Sequence, residues 1–180
     1  MSLYEVFETV SDPRRKEGLR TTLPQMFCMI TLSNLCGHFG GRPVARFAKA
    51  HEDTFTEALH LRHGVPSHVI FSDVLNRVDS KELINAFNKW ASTFVPVEQY
   101  ESVSGDGKAL ASTVTHHGNT NQDFEAVVSI FCQKSGLVRA VDQYRNSKQS
   151  EINVVRFLIE QFNGMGLTFH LDALHAQKNG

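Results

Sequence analysis

Cysteine is scarce in this chain of 180 residues: Cys28, Cys36 and Cys132 are the full set, odd in number and widely spaced. That pattern excludes a disulfide framework and any CxxC zinc spacing. Cys28 and Cys36 lie in an apolar stretch, where free thiols behave as small buried hydrophobes. No apolar run approaches the roughly 20 residues that a membrane-spanning helix needs, so no membrane partner is expected. The N-terminus, Met1-Ser2-Leu3-Tyr4-Glu5, lacks a basic region followed by an apolar one, which leaves a cytoplasmic location as the default expectation. A surplus of either charge is also missing, with 18 Lys and Arg against 19 Asp and Glu and a net charge of −1. Composition therefore withholds the broad basic footprint that many phosphate-binding proteins carry. Histidine is plentiful, and His51, His60, His63 and His68 fall close together, but their gaps match no standard zinc signature. They are expected on the surface or in loops.

What is present is an ordinary core-forming composition, 41% hydrophobic and 21% charged, long enough for one large domain or two small ones. Residues 1–95 read as helical. After a turn at Ser11-Asp12-Pro13-Arg14-Arg15, the stretch from Leu23 to Phe39 opens with Pro24 and closes at Gly40-Gly41. It is apolar nearly all round, which predicts a helix in the middle of a bundle. Pro43 opens a helix through Ala50, and a short one follows from Asp53 to Leu61. Gly64-Val65-Pro66 reads as a turn, with Ser67 the N-cap of a helix to about Val78. Asp79-Ser80-Lys81-Glu82 has the spacing of a capping box, and Leu83, Phe87, Trp90 and Phe94 behind it predict one stripe on a core. Pro96 ends this half, which sets a domain boundary between residues 1–97 and 98–180.

Beyond residue 101 the period changes from helical to two. Glu101 to Leu110, Phe124 to Cys132 and Leu137 to Tyr144 read as strands, the last two joined as a hairpin by Gln133-Lys134-Ser135-Gly136. A helix from about Ser150 to Phe162 follows, and then a strand from Leu167 to Ala173. The whole is an α+β chain: a helical N-terminal domain, then a mixed sheet in the order strand, hairpin, helix, strand.

This order puts Asp106 in the first strand and Asp172 at the C-terminal end of the last. Neighbouring strands lie about 4.8 Å apart, so carboxylates at matching heights can share a divalent ion. Sites with two metals hold their ions roughly 3.5–4 Å apart, and magnesium favours carboxylate oxygens plus waters and phosphates. Spacing alone fits equally well with aspartates that cap turns or end strands at the surface. The cluster Arg14, Arg15, Lys16 and Arg20 is diluted by Asp12 and Glu17 and reads as a solvated loop.

Ser104-Gly105-Asp106-Gly107-Lys108-Ala109-Leu110 resembles the "DGK" motif of insertion-sequence transposases of the group that includes the H-repeat-associated proteins. Asp12-Pro13-Arg14-Arg15, with Gly18 and Arg20, is similar to that group's "DPR" signature. Gly64-Val65-Pro66-Ser67-His68 resembles its "GIPSH" segment. Lys148-Gln149-Ser150-Glu151-Ile152 resembles "KSNEI", and Leu171-Asp172-Ala173-Leu174-His175-Ala176-Gln177 resembles the stretch carrying the second acid. Five motifs in order are far more specific than any one of them.

The resemblance implies a helical N-terminal domain and a ribonuclease-H-like DDE catalytic domain. It implies that Asp106 and Asp172 are the first two acids and ligate Mg2+, which activates water or a 3′-hydroxyl against a DNA phosphodiester. Lys108 is implied to hold DNA phosphate. For Lys148 and Glu151 it implies a catalytic-support or DNA-contact role, beside the reading that a glutamate starting a helix answers the macrodipole. Arg14, Arg15 and Arg20 become candidate DNA contacts. Members of the group supply a third acid beyond the second, whereas this chain ends at Asn179-Gly180. The expectation is an N-terminal transposase fragment, truncated before its third acid and inactive in strand transfer alone. The alternative is a non-catalytic DNA-binding or regulatory protein acting on transposon ends or full-length transposase. Expected partners are transposon-end DNA, a second copy or full-length transposase, with association at the nucleoid when DNA is bound.

Overall fold

Reciprocal caps start the first two helices. The Ser2 hydroxyl accepts from the Glu5 N–H at 3.2 Å and the Glu5 carboxylate takes the Ser2 N–H at 2.7 Å, opening α1 (Leu3–Phe7). Thr22 and Gln25 repeat the device on α2 (Leu23–Leu35), with Pro24 in its first turn. The structure, a computed structural model, describes residues 2–17, 19–110, 113, 123–148 and 150–171. It divides into two units, Met1–Ala86 and Phe87–Gly180.

In the first unit α2 buries Met26, Phe27, Met29 and Ile30, but its far end is open and Leu35 is 78% exposed. The helix stops at Leu35 rather than Phe39. Gly37 adopts φ 81°, and the N–H of His38 returns to the Ser33 carbonyl at 3.0 Å, a turn that only glycine makes without strain. Cys36, expected buried, is exposed at this cap, whereas Cys28 is half-buried. Next come α3 (Gly41–Ala50), α4 (Glu52–Leu59) and α5 (His68–Arg77). A Cβ on Gly41 would lie 2.0 Å from the Ser72 hydroxyl and 3.0 Å from the His68 carbonyl, so α3 and α5 cross at this glycine. Val44, Ala48, Phe71 and Val74 seal the crossing at 0% exposure.

The division between units falls inside α6 (Ser80–Phe94). Asp79 caps it, accepting from the N–H groups of Lys81 at 2.8 Å and Glu82 at 3.3 Å. The expected box forms only in this half, because Glu82 turns away to bind the N–H and hydroxyl of Ser11 at 2.6 and 3.1 Å. The aromatic stripe is likewise placed differently from expectation. Small residues, Ala86 and Ala91, are the ones buried, while Phe87, Trp90 and Phe94 stack on one another with centroids 6.1 and 5.2 Å apart. Phe94 is left 56% exposed.

The second unit is built on β1 (Ser102–Ala109), β2 (Glu125–Cys132), β3 (Leu137–Arg145), α7 (Glu151–Glu160) and β4 (Thr168–His170). The sheet order is β3-β2-β1-β4, with β1, β2 and β3 antiparallel and β4 parallel to β1. Helices followed by a four-stranded mixed sheet make the chain α+β, the class read from its periodicities. Val154, Val155, Leu158 and Phe162 pack with Val103, Val128 and Ile130 in one core. Edge strand β3 is met by Asn88, whose amide donates to the Val141 carbonyl at 2.9 Å and accepts the Val141 N–H at 2.8 Å. Among the described residues, no helix is long and apolar enough to cross a membrane.

Candidate catalytic site

Strand alternation splits the Ser104–Lys108 motif between two faces. Val103, Gly105 and Gly107 pair with Cys132, Ile130 and Val128, all three of which are fully buried beneath α7. Asp106 and Lys108 lie on the opposite face, where both are exposed. Asp106 stands beside Ser129 of β2, with Val141 of β3 next in the row. Its carboxylate makes no hydrogen bond or ion pair with any described residue. Ser104, two residues earlier on the same face, accepts a hydrogen bond from the Gln133 amide at 2.8 Å.

The two glycines flanking Asp106 leave room for side chains that approach β1 closely. A Cβ on Gly105 would come within 2.8 Å of the Leu171 side chain and 3.5 Å of Ile130. A Cβ on Gly107 would sit 2.6–2.8 Å from all three carboxyl atoms of Glu151. The Glu151 carboxylate thus rests directly on the backbone of β1, at the residue after Asp106. Tyr144, 8% exposed on β3, donates its hydroxyl to Glu151 Oε2 at 3.1 Å. Burial, then the charge and hydrogen bond of Glu151, push the Tyr144 phenol up to about 12. Tyr144 is therefore a permanent donor. Glu151 also stands in the first turn of α7, where its charge answers the helix dipole. Tyr144 is absent from the sequence-based set, and its β-strand context offers no signal for the role.

Of the remaining expected site residues, Lys148 is exposed in the turn before α7, with its main-chain N–H on the Arg145 carbonyl at 2.9 Å. Asp172 lies outside the described residues. Among those described, no group of three or more His, Cys, Asp and Glu side chains is arranged to hold a metal ion.

In the helical unit the three arginines separate. Arg14 turns inward: Nε and Nη2 donate to both oxygens of Asp12 at 2.9 and 2.6 Å, and Nη2 reaches the Thr21 carbonyl at 2.9 Å. Burial works against the Asp12 charge, but the hydrogen bonds and charge of Arg14, with Arg77 beyond, hold its carboxyl below the ordinary range. Arg15 and Arg20 are exposed. Arg20 and His63 border a groove of about 610 Å3 against Val65-Pro66-Ser67. His51, His60, His63 and His68 are all exposed, as expected.

Comparison with known proteins bears on the two halves differently. Residues 4–91 match the family described as DDE_Tnp_1-associated. Over 176 residues the chain is 27% identical to a protein of Xanthobacter autotrophicus described as an uncharacterized protein in the dhlA 3′ region. That alignment covers 96% of this chain, which spans 58% of the relative's length. The family match thus falls on the helical residues 4–91, and its description is that of a region associated with DDE-type transposases.

Proposed function

We propose that the chain serves DNA transposition, with Asp106 and Asp172 as two carboxylates of a DDE-type site that cleaves and joins DNA phosphodiesters. The observation that carries this reading is the parallel pairing of β1 with β4. The register sets Ser104 beside His170, and each aspartate follows that pair by two residues in sequence. The chain order of strand, hairpin, helix and strand in a mixed sheet supports the ribonuclease-H-like reading.

Asp106 fits the hard oxygen chemistry of magnesium, which binds through one or two carboxylates and keeps several waters. Its carboxylate is exposed and unengaged among the described residues, and it is held in a strand paired on one side along most of its length. When bound, magnesium stabilises the charge that grows on the attacking and leaving oxygens. The chain's own contribution is position. Asp106 is fixed mid-strand, Lys108 presents a cation on the same face two residues on, and the Tyr144–Glu151 pair braces Gly107 from behind. Glu151 is thus a positioning residue in this reading, and Lys148 a cation at the entrance to its helix. No residue here is assigned as a third carboxylate, so metal binding is expected to be weak and strand transfer by these residues alone is not expected. The protein acts in the cytoplasm, at the nucleoid when on DNA, with Arg15 and Arg20 available to phosphate.

The test is manganese binding followed by paramagnetic resonance on wild type, Asp106→Asn and Asp172→Asn. A weak site lost in both variants is expected, and binding unchanged in either overturns the assignment. A second reading, a regulatory protein acting on transposon ends or on full-length transposase, is favoured by the position of the family match on the helical residues 4–91.

A further inference from the structure

We infer that the helical unit grips the phosphate backbone of duplex DNA in the groove between α3 and the first turn of α5. Arg42, Arg46 and Lys49 recur at intervals of four and three, which sets them on one face of α3 over roughly 10 Å of helix axis. All three are exposed, while Val44 and Ala48 are buried on the other side. They line one wall of a groove of about 710 Å3, and Val65, Pro66, Ser67 and His68 form the other. Neither Arg42 nor Arg46 forms an ion pair with a described residue. The unit Met1–Ala86 has 10 Lys and Arg and 10 Asp and Glu, so a basic stripe here is a placement and not a consequence of composition.

The groove is a built feature. Gly41 lets α3 lie directly on α5, and the opposite wall is pinned by Glu52. That carboxylate pairs with Lys49 and accepts the Val65 N–H at 3.2 Å. A Cβ on Gly64, at φ 69°, would meet it at 2.6 Å. The lysine and the main-chain bond together hold the Glu52 carboxyl below its ordinary range. Glu52 is thereby occupied with Lys49 and the turn, and among the described residues neither Arg42 nor Arg46 has an acid paired to it. Ser67 begins α5 without a side-chain cap, so the first-turn N–H groups add to the positive field of this wall.

A single small anion would need converging donors, whereas these cations are strung along an axis and match a row of phosphates. The surface continues across the Val65-Pro66-Ser67 ridge to Arg20 and His63. The inference rests on the reading of the chain as a DNA-acting protein, but on neither aspartate nor metal.

Anisotropy of a short labelled duplex, titrated with the full chain in EDTA over a series of salt concentrations, tests it. Wild type should bind at low salt, and the logarithm of affinity should fall against the logarithm of salt by about 0.9 for each phosphate neutralised. Arg42→Ala/Arg46→Ala should bind roughly tenfold or more weakly and flatten the slope by about two, while Arg42→Lys/Arg46→Lys keeps most of it. A wild-type slope shallower than two contacts overturns the inference without any variant. So does an alanine variant that binds as wild type does, or a preference for anionic vesicles over duplex. The titration is run in EDTA and the manganese measurement without DNA, so a failed metal site and a failed groove give separate results.

Discussion

The two units present their charged groups by opposite means. In the helical unit, cations lie along one face of α3 and line a groove against the start of α5, and what fixes them is the close approach of the two helices at Gly41. In the sheet unit, one strand separates its own motif: Asp106 and Lys108 go to one face, while Gly105 and Gly107 admit a leucine and a glutamate from the other. A helix crossing sets the geometry by close approach and fails when it is wedged apart. A strand sets it by alternation, which survives small changes in what leans on it. The unit sensitive to volume is thus the one proposed to bind, and the unit sensitive to hydrogen bonding is the one proposed to react.

Gly41→Val should produce the largest effect. Its side chain meets the Ser72 hydroxyl and the main chain of α5, and overpacking of this kind costs about 1–3 kcal/mol or more. A calorimetric scan should show the loss in the helical unit, with duplex binding falling and the Tyr144 ionisation unmoved. If both units lose stability together, the comparison breaks.

Arg14→Ala comes next. It strips Asp12 and the Thr21 carbonyl of their donor, a cost of about 1–3 kcal/mol for groups left unsatisfied. Because the Asp12 carboxyl is depressed in the fold, its contribution is present above the ordinary carboxylate range and is lost as pH falls through the lower folded value. Urea midpoints measured across acid pH should therefore slope less in the variant.

Tyr144→Phe should cost about 1 kcal/mol, the net worth of one hydrogen bond. Its sharper readout is spectrophotometric: the phenolate step at about 12 disappears. A raised phenol contributes stability that is whole below its ordinary value near 10 and drains away as pH rises towards the folded value. Alkaline unfolding of the variant should accordingly be less steep. Gly107→Ala should be the smallest effect in stability, because the atoms it displaces are the movable end of Glu151. It should still bring the Tyr144 ionisation down, and an unmoved step would show that Glu151 does not depend on the glycine.

Much of the architecture was legible from periodicity and punctuation. Pro66 and the hairpin glycine Gly136 mark true boundaries, because positive φ or a missing N–H leaves the chain few choices, whereas Gly40-Gly41 opens α3 and the helix before it has already ended at Leu35. The stripe through Phe87, Trp90 and Phe94 misleads about burial, since periodicity reports which residues share a face and not how close that face can approach a neighbour. The run of Asp12 with Arg14 and Arg15 reads as a basic cluster diluted by an acid, yet two residues' separation already allows the bidentate pair that the fold makes. The α3 stripe was readable as well, from the four-and-three spacing of Arg42, Arg46 and Lys49, but a stripe becomes a groove only when a second wall is known. Glu151 against Gly107 was not readable at all. It depends on how α7 lies on the sheet, which no local pattern encodes.

Asn88 carries a consequence of another kind. By matching the Val141 N–H and C=O with its own amide, it completes one residue's worth of strand pairing along β3. A strand from a second molecule seeking that edge finds its place already taken at this point. Asn88→Ala would unmask those groups, and the expected outcome is growth of β-rich aggregates on standing, seen by light scattering and thioflavin fluorescence, before any change in the melting of the monomer.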